Sequence, residues 1–158
     1  MEIVGIDGFT VQGLAVRTCN KDEAQASSAG IGPLWQVFGR QIAPYLEPHG
    51  RIYGVYHHYE SDADGCFNVL AGTDALLPTH EEAHKENEPA LTSVSIAAGP
   101  YLVFEAHGVM PQAVIEAWGR IWRYFADPQC LYRRAYTTDF ERYLADQRVD
   151  ICIAVGPI

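Results

Sequence analysis

The sequence predicts an α+β domain: an antiparallel sheet carrying two helices, built from two copies of a strand-helix-strand-strand unit. Three observations predict it. Strand-length apolar runs are interrupted twice by stripes of apolar residues spaced three and four apart. The same order of elements stands on either side of a polar, proline-bounded stretch at 76–92. And 48% of the 158 residues are hydrophobic against 20% charged, the balance of a chain with a buried core.

The first unit opens with "FTVQGLAVRTC", Phe9 to Cys19, which alternates as a strand does. A polar connector, "NKDEAQASSAG", leads to "IGPLWQVFGRQIAPYLEPHG". There Ile31, Leu34, Trp35, Phe38, Ile42 and Tyr45 form one apolar helical stripe. Pro33 suits a first turn, and Pro48 with Gly50 ends the helix. "RIYGVYHHYES" and "CFNVLAGTDA" read as strands joined through the turn residues "DADG". Residues 76–92 read as a connecting loop.

The second unit repeats the order. "SVSIAAGPYLVFEAHG" is a strand pair or one long bent strand. In "MPQAVIEAWGRIWRYFADP", Val114, Ile115, Trp118, Ile121, Trp122 and Phe125 share a helical face, with Pro111 near the start and Asp127-Pro128 as the stop. "YRRAYTTDFERYLAD" and "RVDICIAVGPI" complete it as strands. Laid side by side, "VYHHYESDADGCFNVLAG" and "DFERYLADQRVDICIAVG" set Tyr59 opposite Tyr143 and Asp62 opposite Asp146. They likewise pair Val69 with Ile153 and Gly72 with Gly156. The expected organisation is a single domain of two pseudo-repeats, about 9–75 and 93–158, joined by the 76–92 linker.

Charge and cysteine usage exclude several classes. Eleven basic residues against 20 acidic ones leave a net charge of −9, which repels phosphates and argues against direct nucleic-acid binding. No apolar run reaches the roughly 18 residues that cross a bilayer, and "MEIVGIDGFT" lacks a secretion signal. Cys19, Cys66, Cys130 and Cys152 form no C-x-x-C pair and read as buried thiols in a reducing cytoplasm, not as a disulfide frame or a zinc cage.

Two motifs suggest metal chemistry. His80-Glu81-Glu82-Ala83-His84 spells H-E-x-x-H, two imidazoles one helical turn apart with a carboxylate for a bound water. Zinc peptidases carry that motif on a buried helix with a further ligand downstream. Here Lys85, Glu86, Asn87, Glu88 and Pro89 follow and the segment falls in the linker, so it reads as a coincidence in a solvated turn. His57 and His58 are adjacent on a strand, so their side chains point to opposite faces and do not share an ion. No metal or cofactor is expected.

"FTVQGLAVRT", "IGPLWQVF", "GPYLVFEAHG", "AWGRIWRYFA", "DFERYLAD" and "VDICIAVGPI", in that order, resemble the GyrI-like effector-binding domain family of AraC-type and MerR-type activators. The chain is similar in particular to the stand-alone cationic-drug-binding domains carried on bacterial integron cassettes. The resemblance implies two repeats about a pseudo-twofold axis, with a ligand site between helices and sheet. It implies lipophilic cationic small molecules as ligands, held by aromatic rings and one carboxylate. A regulatory role would need a partner protein to supply DNA contacts.

The carboxylate that the resemblance implies is Glu141, beside Phe140 and Tyr143 in "FERY". The hairpin there, "DFERYLADQRVDICI", is shorter than in many relatives, which leaves its register open. Strand alternation places Glu141 and Tyr143 on one face, and the repeat places His57 and Tyr59 on the equivalent face. Tyr56, Tyr101 and Phe104 are further candidates from the aromatic-rich strands, whose other aromatics are Tyr53, Phe67 and Tyr136. Trp35 and Trp118 lie on helices that would flank the cleft, and Glu105 is either a second acid near it or an edge partner of His107. Two alternatives remain within the resemblance. One is hydrolysis of strained electrophilic rings with Glu141 as general base, its pKa raised by desolvation. The other is a protein-binding inhibitor of an enzyme such as a topoisomerase.

Overall fold

The computed structural model describes residues 1–83, 85 and 88–157. Its strands are β1 (Glu2–Ile6), β2 (Phe9–Cys19), β3 (Ile52–His57), β4 (Cys66–Thr73), β5 (Thr92–Ile96), β6 (Gly99–His107), β7 (Tyr132–Leu144) and β8 (Arg148–Pro157). The helices are α1 (Asn20–Glu23), α2 (Ile31–Gln41), α3 (Thr79–Ala83) and α4 (Gln112–Ala126), with a 3₁₀ turn at Ala43–Tyr45. All eight strands form one antiparallel sheet in the order β1-β6-β8-β7-β3-β4-β2-β5. Exchanging β1–β4 for β5–β8 leaves that order unchanged. The fold is the α+β class that the alternating runs and helical stripes predict.

The exchange involves two strands that sequence patterning places differently. β1 precedes the first unit as read, and it pairs with β6 of the second. β5 does not pair with its chain neighbour β6; it adds to β2 of the first unit. Each half thus lends its first strand to the other, covering an edge that would otherwise expose unpaired N–H and C=O groups.

Both long helices pack on one face of the sheet. Beneath α2, Leu34, Phe38 and Ile42 bury against Leu14, Phe67, Val69 and Ala71. Beneath α4, Ala113, Ala117 and Ile121 bury against Leu102, Phe104, Ile151 and Ile153. The sheet curls around a separate core on its other face, where Val11, Tyr53, Val55, Leu70, Tyr101 and Phe140 meet. Curling brings Phe9 within 5.5 Å of Phe140, ring centroid to centroid. No helix among the described residues is long and apolar enough to cross a membrane.

Local contacts explain where α2 starts and stops. The Glu23 carboxylate of α1 accepts the backbone N–H groups of Gly30 (2.8 Å) and Ile31 (3.1 Å), capping the donors that the first turn leaves free. Thr18 donates to the same carboxylate at 2.6 Å, tying the cap to β2. The α-helix stops at Gln41, earlier than the apolar stripe suggests, because Pro44 lacks the N–H that would continue it.

The 76–92 segment needs a correction too. It is not wholly loop: α3 occupies part of it, and His80 is buried with its ring against Tyr45 at 5.3 Å. His80 is therefore not solvated. The second histidine of the H-E-x-x-H pattern, His84, lies outside the described residues.

Candidate functional site

Glu141 stands on β7 where the sheet passes beneath the gap between α2 and α4. Its register partner on β3 is Gly54, so the two share a face. A Cβ on Gly54 would come 2.7 Å from Glu141 Oε1 and 3.1 Å from the Trp35 ring. Only glycine leaves room there for the carboxylate and the indole together. A glycine in the middle of "IYGVYH" is a sequence sign of such close approach, and it is a position of this candidate site that the sequence reading missed.

Three neutral donors hold the carboxylate. Tyr56 O–H (2.8 Å) and Trp118 Nε1–H (2.8 Å) donate to Oε2, and Tyr143 O–H (2.9 Å) donates to Oε1. Trp35 of α2 meets Tyr143 edge-on at 5.3 Å, while Trp118 of α4 lies 5.0 Å from Tyr56. Trp122 extends the α4 wall outward, 6.3 Å from Trp118, and is 46% exposed. The result is an aromatic cluster with a 2% exposed carboxylate at its base.

The electrostatics follow from this enclosure. Desolvation raises the Glu141 pKa, and the hydrogen bonds from Trp118, Tyr56 and Tyr143 oppose that rise. Burial and the neighbouring Glu141 push the Tyr56 and Tyr143 phenols well above their usual range, so both remain protonated donors. The other buried acids of β7 and β8 are paired differently. Asp139 receives Arg134 Nη2 at 2.8 Å, the Tyr59 hydroxyl, and the Ala154 N–H at 2.8 Å. Asp150 receives Arg142 (3.4 Å) and Arg148 (3.0 Å). Among the described residues no Lys, Arg or His forms an ion pair with Glu141.

The structure therefore brings together Glu141, Tyr143, Tyr56, Trp35 and Trp118. Tyr59 stands one step away, its hydroxyl on Asp139 and its ring 5.9 Å from Phe67. Four candidates lie elsewhere. His57 pairs with Thr138 and faces the opposite side of the sheet from Glu141. The reason is a one-residue difference between the hairpins: Tyr56 opposes Val69, whereas Phe140, its counterpart in the repeat alignment, opposes Cys152 and not Ile153. A slip of one residue exchanges faces.

Nor do His57 and His58 point to opposite faces as strand alternation predicts: β3 ends at His57, His58 turns to a left-handed φ of 52°, and their Nδ1 atoms meet at 2.5 Å. His57 lines a cavity of about 500 Å³ with Asn68, Ser93, Ser95 and Thr138. Burial, His58 and Arg17 push its pKa down to about 4, so it is neutral at pH 7. Tyr101 belongs to the core on that same far face, its hydroxyl on Ala97 O (2.6 Å) and Thr138 (2.8 Å). Glu105 also points away from the helices, toward Arg148 (2.9 Å) and His107 (3.1 Å). Phe104 shares the helix face but is buried under the far part of α4 against Tyr124 and Phe125.

A curled antiparallel sheet bearing two helices on one face is an architecture that this chain shares with small-molecule effector-binding proteins. The chain belongs to the family of integron-associated effector binding proteins, whose profile matches residues 2–155. An integron cassette protein from the mobile metagenome of Vibrio cholerae shares 42% identity, with a TM-score of 0.86 over 98% of this chain and 95% of that one. Two more distant structures share the fold. SAV2435, solved with tetraphenylphosphonium bound, is 18% identical, with a TM-score of 0.69 over 98% and 93% of the two chains. The EcmrR C-terminal domain is 14% identical, with a TM-score of 0.54 over 99% and 97%. No protein of curated function matches the chain.

Proposed function

We propose that this domain binds lipophilic organic cations at Glu141, as a sensor or sequestering protein. The observation that carries the reading is a buried carboxylate whose hydrogen-bond partners are all neutral, beside two buried acids that each have an arginine. A delocalised cation would complete that pair. The rings of Trp35, Tyr56, Trp118 and Tyr143 would add apolar area and cation–π attraction, about 0.5–2 kcal/mol per contact. Because the aromatics cover the carboxylate, a ligand must displace one of its donors, and the Trp118 indole and Tyr56 phenol share one oxygen. The fold relative with tetraphenylphosphonium bound makes that cation the natural probe.

The test is a tryptophan-fluorescence titration of wild type and Glu141→Gln with tetraphenylphosphonium, and with triphenylphosphine oxide as a neutral analogue. Cation-selective binding should weaken tenfold or more in the variant, a loss of at least about 1.4 kcal/mol. Equal binding by the two proteins would remove Glu141 as the charge partner. The thermal midpoint of the unliganded variant at neutral pH serves as the folding control. It should match or exceed wild type, since the substitution removes a buried charge that has no counter-ion.

A further inference from the structure

Cys19 ends β2, Cys66 begins β4, and the two are direct cross-strand partners in the antiparallel register. Directly opposed residues on such strands have Cα atoms about 4.5 or about 5.5 Å apart. Both separations fall within the roughly 4.4–6.8 Å that a disulfide spans. Opposed side chains also leave the sheet on the same face. Contrary to the expectation of four buried thiols, only Cys152 is buried; Cys19 and Cys66 are free and part-buried at the ends of their strands, so a small oxidant can reach them. Cys152 differs: it is buried and faces Val103 and Phe140 across the ladders.

Cross-links on both sides hold the pair in place. Two residues along the same face, Arg17 Nη1 bridges to Asn68 Oδ1 (3.0 Å) and to the His58 carbonyl (3.1 Å). On the other side, Asn20 Nδ2 donates to the Ala63 carbonyl at 2.8 Å, pinning the β3–β4 loop to the end of β2. We propose that Cys19 and Cys66 are a modification site, closing to a reversible disulfide when a small-molecule disulfide such as oxidised glutathione is present. One cysteine thiolate attacks the glutathione disulfide and releases one glutathione, leaving a mixed disulfide. The partner thiolate then displaces the second glutathione. Two thiol protons and two electrons leave the protein and reduce one glutathione disulfide to two thiols.

The surroundings set the pace of the first step. Desolvation pushes the Cys66 thiol up, Glu60 and Cys19 add to this, and Arg17 opposes it. The thiolate is therefore the minor form at neutral pH, and only the thiolate attacks. An accessible disulfide of this kind remains open to reduction.

The test treats the whole protein with oxidised glutathione and follows intact mass, then maps peptides without reduction. The expected product is lighter by two hydrogens, carries a Cys19–Cys66 cross-link, melts several degrees higher because the link constrains the unfolded chain, and reverts with dithiothreitol. Cys130→Ser should still close. Cys19→Ser should stop at a glutathione adduct on Cys66, and its melting curve shows whether it folds. Four free thiols after treatment, glutathione adducts on the wild type without closure, or a cross-link through Cys130 or Cys152 would each overturn the proposal.

Discussion

A carboxylate out of water needs either a proton or a partner. At Glu141 the described residues supply three neutral donors and no cation, so the ionised form is held by hydrogen bonds from neutral groups. Gly54 makes that arrangement possible by leaving its Cβ position to the carboxylate and the Trp35 ring. Gly54→Ala should therefore displace one or both. The expected result is destabilisation of about 1–3 kcal/mol, typical of overpacking, read by denaturant unfolding. It should come with weaker quenching of Trp35 and Trp118 on addition of tetraphenylphosphonium. A variant as stable as wild type would mean that the carboxylate shifts without cost.

At the scale of elements, β7 is the strand that organises the site. Its pairing with β8 slips between Arg134 and Asp139, and Tyr136 within the slip adopts a left-handed φ of 54°. The Arg134 guanidinium lies 4.5 Å from the centre of the Tyr136 ring and binds Asp139, so one side chain spans the irregularity. Asp139 is wholly buried and lies two residues before Glu141, on the same face. Arg134→Ala should cost about 3–5 kcal/mol, because it leaves that acid without its cation. Arg134→Ala combined with Asp139→Asn should recover much of the loss. A loss of only a few tenths of a kcal/mol for the single variant would show that the pair is solvated. The strand exchange at β1 and β5 belongs to this scale as well, since it closes the free edges of β6 and β2.

For the whole molecule, protonation links stability to binding. The Glu141 pKa stands above 4.5 in the folded protein, so the native state holds its proton to a higher pH than the unfolded chain. The stability of the free protein should fall as pH rises from 4.5 through the raised value, as linkage requires. A bound cation favours the ionised form, so its affinity should rise over the same window and then level off. At a ligand concentration one hundred times Kd the gain in stability is about 2.7 kcal/mol. Melting curves with and without tetraphenylphosphonium across that pH range should diverge as pH rises, and Glu141→Gln should remove the divergence. Parallel curves in the wild type would separate cation binding from this carboxylate.

The sequence by itself determined the class of fold and the materials of the site. Period-two runs and two helical stripes are local properties, and both helices form where the stripes lie, although on α4 the buried line is Ala113, Ala117 and Ile121 while Ile115 and Trp122 of the predicted stripe face outward. The position of Glu141 was legible through "FERY", and the wealth of aromatic residues was plain. Tertiary structure alone decided which side chains meet. Alternation relates residues within one strand, but it does not say which face the helices cover, and a one-residue difference between the hairpins sent His57 to the far side. Nothing local pairs Trp35 with Tyr143 or β1 with β6, because those contacts arise only when the two halves close on one another, and Cys19 meets Cys66 only through the β2–β4 ladder within the first half. Non-local register, set by the curl and closure of the whole sheet, is the physical quantity that a single sequence does not display.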